Sequence, residues 1–306
     1  MSRWVPAILT AVALAATAAM APTGAAAFSG PALRVVGNVA APNAYSMGQL
    51  SALATTTVQV VERDHRHQVT HTERAVSVEG LVQAAHPVLP QAKNAMLRVT
   101  VTAVYRGAEP VTFALGELDA NFGNHPAFLS VEEDGRALRS PRLVVPGDST
   151  DDRFADRVDR LVVEVADPAP TTPPAGAVDV QRDGRSRVLS SPLLAGLPAR
   201  TVTVSFLAGG GPQQHVEMGP TVAGVLAAAH VQARPDTWVA AVGSDGYVAV
   251  VTPAEATAGG RTLLLSLAED GARLAQPRLV TGGDVKGGRY VALVVDLVVG
   301  EGADDR

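Results

Sequence analysis

The chain repeats itself. Residues 57–86 overlie residues 201–230 without a gap, at an offset of 144, and ten of the thirty positions are identical. Thr57/Thr201, His71/His215, Glu73/Glu217, Gly80/Gly224 and His86/His230 are among them. Residues 130–163 overlie 266–299 at an offset of 136, with sixteen of thirty-four identical. Shared positions there include Glu133-Asp134-Gly135, Pro141-Arg142-Leu143-Val144, Gly147-Asp148 and Arg153. The order is preserved, so this is a tandem duplication of one domain of about 130 residues rather than a solenoid. Between the copies lies "DPAPTTPPAGA", from Asp167 to Ala177, whose prolines and small residues read as an extended linker. The expected organisation is a first domain over 33–167, a linker over 168–177 and a second domain over 178–300.

Each copy reads as α+β, dominated by sheet. "TVQVVE" and "TVTVSF" alternate as strands do, and a polar turn and a second strand follow. "VSVEGLVQAAH" and "PTVAGVLAAAH" read as short helices, with apolar residues at 78, 81, 82 and 85 in the first. "AFLSVEEDG" and "TLLLSLAEDG" read as strands ending in Asp-Gly turns, and "RVDRLVVEV" and "LVVDLVV" close the domains. The hydrophobic fraction is 47% but the aromatic fraction only 4%, so the cores must be built from Val, Leu and Ala. The 29 glycines and 21 prolines supply the turns that sheets need.

The first 27 residues read as a signal peptide. Arg3 supplies a positive start, Val5 to Ala21 an apolar run, and "AAA" at 25–27 a small-residue cleavage site. The expected location is secreted or extracytoplasmic, with no membrane span after cleavage. A net charge of −5 argues against a nucleic-acid partner. The chain has no cysteine, hence no disulfide and no thiolate chemistry.

A helix of the form "GVLAAAH" followed by "EDGxxLxxPRLVxxGDxxxxR[FY]" resembles the sulfite-oxidase-type molybdopterin-binding domain, in small secreted bacterial relatives. The resemblance covers roughly 45–166 and 185–300. It implies two tandem sulfite-oxidase-like domains. In the catalytic family a cysteine thiolate on an early strand binds molybdenum, and a late Pro-Gly turn leads to a basic-aromatic pair that helps hold the pterin. Here the corresponding strands, Val58–Glu62 and Val202–Phe206, contain no cysteine. The late turns stand as Pro146-Gly147-Asp148 and Gly282-Gly283-Asp284, and the pairs as Arg153-Phe154 and Arg289-Tyr290. The resemblance thus offers Arg153, Arg289, Arg142 and Arg278 as cofactor-holding residues. Without a thiol neither copy can form the metal–thiolate bond, which argues against turnover. Asp148 and Asp284 depart from the family pattern and put negative charge where a phosphate would sit.

Other residues compete for a role. "DHRHQVTH" places Asp64, His65, His67 and His71 within eight positions, a conceivable metal set. Copy two has "AGGG" opposite "DHRH", so a solvated hairpin loop is the other reading. His71 and Glu73, repeated as His215 and Glu217, project from one strand face, with Val69 expected to point to the core. They are candidates for a specific ligand site. His86 and His230 read as cations at helix C-termini. Asp148 and Asp284 are also placed to pair with Arg153 and Arg289 across the turn, a contact worth under about 1 kcal/mol if exposed.

Three functions remain open. One is a secreted, non-catalytic tandem that binds an unknown small molecule or protein. Another is a molybdopterin-dependent oxidoreductase or cofactor carrier lacking its thiolate, the cofactor being implied by resemblance alone. The third is a metal-binding protein using the His-rich hairpin. No hydrolase elbow, zinc-peptidase motif or phosphate-binding loop is present in the sequence.

Overall fold

The early strands alternate, and they pair as the pattern predicts. The structure is a computed structural model, and it describes residues 31–303 apart from 65, 66, 106 and 108, with the side chain of Asp64 also excepted. The leader expected over 1–27 lies outside the described residues, as does His65. The first half runs β1 (Leu33–Gly37), β2 (Asn43–Tyr45), α1 (Met47–Leu53), β3 (Thr56–Asp64), β4 (His67–Ser77), α2 (Val78–Ala84), β5 (Val99–Tyr105), β6 (Val111–Ala114), α3 (Leu115–Leu118), β7 (Phe128–Glu133), β8 (Arg136–Val144) and β9 (Val158–Val165). The second half repeats the series as β10 (Val178–Arg182), β11 (Arg185–Leu189), α4 (Ser191–Gly196), β12 (Ala199–Ala208), β13 (Gly211–Pro220), α5 (Val222–Ala228), β14 (Thr237–Gly243), β15 (Val248–Val251), α6 (Pro253–Thr257), β16 (Leu263–Glu269), β17 (Ala272–Thr281) and β18 (Val294–Glu301).

Sheet dominates, in four sheets that fall into two groups. The five-stranded sheets have the orders β2-β1-β9-β5-β6 and β11-β10-β18-β14-β15, and the four-stranded sheets β3-β4-β7-β8 and β12-β13-β16-β17. These orders correspond strand for strand. The first and last long strands of each half lie side by side and parallel, β1 with β9 and β10 with β18.

Local chemistry fixes the helices. Ser77 and Thr221 begin α2 and α5, and their side chains accept from the amides of Gly80 and Gly224 at 3.2 and 3.0 Å. Val78, Leu81, Val82 and Ala85 are buried, as their spacing requires. His86 and His230 are exposed and adopt φ of 55° and 60°, the left-handed position that ends a helix. They close the last turn with their backbone, through His86 N to Gln83 O and His230 N to Ala227 O.

The β3–β4 hairpin pairs from Thr56/Ala75 to Asp64/His67. Along its inward face, Val69 is 49% exposed, His71 is half-buried, and Glu73 and Ala75 are fully buried. Val69 therefore does not point into the core, because the hairpin projects past the body and burial grows only toward its base.

The halves pack on each other in a roughly reciprocal way, and residues from Pro31 onward form one unit. Ser149 N donates to Ala258 O, and Val285 N to Phe122 O, both at 2.7 Å. Leu97 and Phe122 of the first half join the core of the second, while Ala114 and Ala166 pack with Ala240, Val242, Val248 and Val250. The segment 166–177 has no helix or strand, and it is tied down by Thr171, whose amide donates to Asp296 at 2.7 Å. No helix among the described residues is long and apolar enough to cross a membrane.

Candidate functional site

The resemblance singles out Arg153 and Arg289, and both are completely buried. Each follows the glycine turn after β8 or β17, where Gly147 and Gly283 take φ of 92° and 88°. That turn bends Asp148 and Asp284 back onto the arginine five residues later. Arg153 donates to Asp148 through Nε and Nη2 at 2.8 and 2.6 Å, and to Glu117 through Nη1 at 2.6 Å. Arg289 grips Asp284 at 2.9 and 2.6 Å and both oxygens of Glu255 at 2.9 and 2.6 Å. Glu117 and Glu255 come from α3 and α6 and are themselves fully buried. The turn pair expected between these residues is therefore present, and it is part of an internal network rather than an exposed contact.

The network crosses between the halves. A Cβ on Gly116 would lie 2.8 Å from Arg289 Cδ, and one on Gly259 would lie 2.9 Å from Arg153 Nη2. A side chain at either glycine would crowd the arginine of the opposite half, at its stem carbons beside Gly116 and at its guanidinium beside Gly259. Burial alone would lower the pKa of Arg153, but Glu117 and Asp148 outweigh it and hold the group above its ordinary value. Arg289 behaves likewise through Glu255 and Asp284. Burial pushes Glu117 up to about 7 against the pull of Arg153. Burial pushes Glu255 up as well, but Arg289 and Arg261 pull it below the usual range.

Arg142 and Arg278 meet the other predicted group. Arg142 Nη1 lies 3.3 Å from Glu73 and also pairs with Glu133 and Glu62. Arg278 Nη1 lies 3.1 Å from Glu217 and pairs with Glu269. The buried carboxylates of Glu73 and Glu217 also accept from Ser130 and Ser266, the latter at 2.6 Å. Glu73 sits above its ordinary pKa, chiefly through burial. His71 and His215 turn instead to Asp134 and Asp270, at 2.8 and 2.9 Å. The second oxygen of each aspartate accepts from Thr72 N or Val216 N at 2.9 and 2.8 Å. The repeated His-x-Glu and Glu-Asp-Gly segments are thus two sides of one strand-to-turn latch. His71, Glu133 and Asp134 bring one ligand atom each within 4.8 Å of one another. His67 is exposed and stands four residues from His71, about 13 Å along the strand, so the two are poorly placed to share an ion.

Sequence reasoning missed Glu117, Glu255, His125 and Arg261. His125 Nε2 lies 2.8 Å from Asp148, and Arg261 Nη2 donates to Asp284 at 2.8 Å. For His125 and Arg261 the signal was the alignment itself, since "NHPAFLS" stands over "GRTLLLS" at the offset of 136.

These residues do not fit a pterin cofactor. Each of the four arginines is bound to at least two carboxylates of its own half, two of the arginines have no exposure, and the chain has no thiol. A phosphate would have to displace Asp148 or Asp284 from a buried pair and leave it unpaired.

An open surface lies nearby, between the halves. A cleft of about 670 Å³ is lined by Lys93 and Phe122 from the first half and by Phe206, Tyr247, Lys286 and Tyr290 from the second. Phe206 and Tyr290 pack at a 37° tilt with ring centroids 4.4 Å apart. Tyr247 OH donates to Gly288 O at 2.5 Å and accepts from Asn94 at 2.8 Å, fixing its ring at the cleft wall. Lys286 Nζ donates to Asn121 Oδ1 at 2.8 Å. Lys93 and Lys286 are the chain's two lysines, and neither forms an ion pair among the described residues.

No family model matches the chain, and no curated protein matches it. Among solved structures, the crystal structure of the sulfane dehydrogenase SoxCD from Paracoccus pantotrophus is similar, at 14% identity and a TM-score of 0.34. The similarity covers 83% of this chain and 63% of that one, so this chain spans less than two thirds of its length. A likeness this distant leaves fold and activity to the residues themselves.

Proposed function

We propose that this chain is an exported, non-catalytic binding protein, made of two sulfite-oxidase-like repeats, whose ligand enters the cleft between them. Export rests on the positive start, apolar run and small-residue site over 1–27. One observation carries the binding reading. Arg153 and Arg289 are internal counter-ions, while the chain's two lysines line one accessible, aromatic-walled cleft. Aromatic walls with a few placed polar groups suit a small molecule, and two ammonium groups suit an anion with a flat face.

Calorimetric titration with naphthalene-1-sulfonate tests this. Saturable binding is expected, weakening with salt and falling about tenfold when Lys93→Ala and Lys286→Ala are combined. Binding indifferent to both substitutions would remove the cleft as the site.

A further inference from the structure

The two halves differ in chemistry at one cross-strand pair. In the first half Arg74 stands opposite Glu132 across β4 and β7, and its Nε donates to Glu132 at 2.9 Å. Arg74 Nη1 also donates to Ser51 O at 2.9 Å, bracing the end of α1. In the second half the same cross-strand positions hold Met218 and Ala268. The residue matching Met47 at the start of the helix is Ser191. Three side chains that fill the first half are thus replaced, and two of the replacements are much smaller. The consequence is a groove of about 280 Å³ walled by Leu194, Ala195, Met218, Ala268 and Leu274.

The groove has one cation on its rim. Arg273 stands where the first half has Ala137. It is exposed, donates to Ser191 Oγ at 2.8 Å, and has no carboxylate partner among the described residues. An apolar trough ending at an uncompensated guanidinium is complementary to an apolar chain with an anionic head.

We infer that this groove binds a medium-chain monocarboxylate, with the alkyl chain along Leu194, Met218 and Leu274 and the carboxylate on Arg273. The volume of about 280 Å³ lies just below the roughly 300–1,000 Å³ seen for small-molecule sites, which suits a single unbranched chain. This site is separate from the cleft between the halves, and it stands whether or not that cleft binds anything.

The probes are octanoate, octanamide and acetate, titrated calorimetrically into the full chain. Octanoate is expected to bind saturably, octanamide more weakly, and acetate not at all. The variant carrying Met218→Arg with Ala268→Glu transplants the ion pair of the first half into the groove. It is expected to weaken octanoate at least about tenfold while keeping the far-ultraviolet spectrum and melting behaviour of the parent. Arg273→Gln leaves the trough intact and serves where the filled variant fails to fold. It is expected to weaken octanoate several-fold and leave octanamide unchanged. Absence of saturable octanoate binding into the millimolar range overturns the inference. So does octanoate affinity unaltered in the folded, filled variant, or unaltered in Arg273→Gln.

Discussion

His125 stands in the first half where Arg261 stands in the second, and each holds the aspartate of its own turn at 2.8 Å. The difference is reach. Arg261 Nε also lies 3.4 Å from Glu255, whereas Glu117 has one ion-pair contact among the described residues, to Arg153, and its Oε2 has no hydrogen-bond partner. With the two-pronged grip of Arg289 on Glu255, against the single bond from Arg153 to Glu117, this substitution sets two equivalent buried carboxylates apart.

Stability is expected to depend on pH through Glu117. Its pKa in the folded chain is about 7, above the ordinary 4.5, with burial as the main cause. Its contribution is therefore full below pH 4.5 and is lost as pH rises through 7. Unfolding free energies from urea curves should fall across that window, by an amount on the order of 1–3 kcal/mol. Glu117→Gln should flatten the fall. A pH dependence of stability unchanged by that substitution would contradict the assignment.

Giving the first half the arginine of the second should have a related effect. His125→Arg supplies a second cation beside Glu117, so Glu117 should ionise more readily and the variant should gain about 1–2 kcal/mol at pH 8. Denaturant curves at pH 5 and pH 8 measure the gain, which should be confined to the higher pH.

Removing an internal counter-ion should be severe. Arg153→Met leaves Asp148 and Glu117 buried without their main partner and should cost about 3–5 kcal/mol. Gly116→Ala should also destabilise, since its Cβ would sit 2.8 Å from Arg289 Cδ. Thermal melts of both variants give the comparison, and a Gly116→Ala protein as stable as the parent would show that the approach is not tight.

The hairpin histidines invite a metal titration. His65→Ala and His67→Ala are expected to leave zinc binding unchanged, because the repeated histidine, His71, is already held by Asp134. Submicromolar zinc binding abolished by those two changes would restore the hairpin as a metal site.

Much of this architecture was legible in the sequence. The repeat follows from identities kept in register, and the strand alternation and the apolar spacing of α2 and α5 from local pattern, because burial imposes periods of two and 3.6. The site was only half legible. Pairing of Asp148 with Arg153 was visible as a five-residue turn, but its burial was not, since that depends on the opposite half closing over it. Glu117 looked like any polar residue in a short helix. Val69 misled because an alternating pattern continues along a hairpin after the body beneath it has ended. The inter-half cleft left no local trace, since Lys93 and Lys286 are 193 positions apart.

The reciprocal amide contacts, Ser149 to Ala258 and Val285 to Phe122, have one more implication. They make the molecule a dimer written in a single reading frame. When two separate identical chains form such a face, every mutation arrives twice, and both sides of the axis must tolerate it. Joined end to end, the partners are released from that bond. One side can keep an ion pair at its sheet while the other hollows out a groove, and one can carry a histidine where the other carries an arginine. Fusion turns symmetry from a requirement into an inheritance.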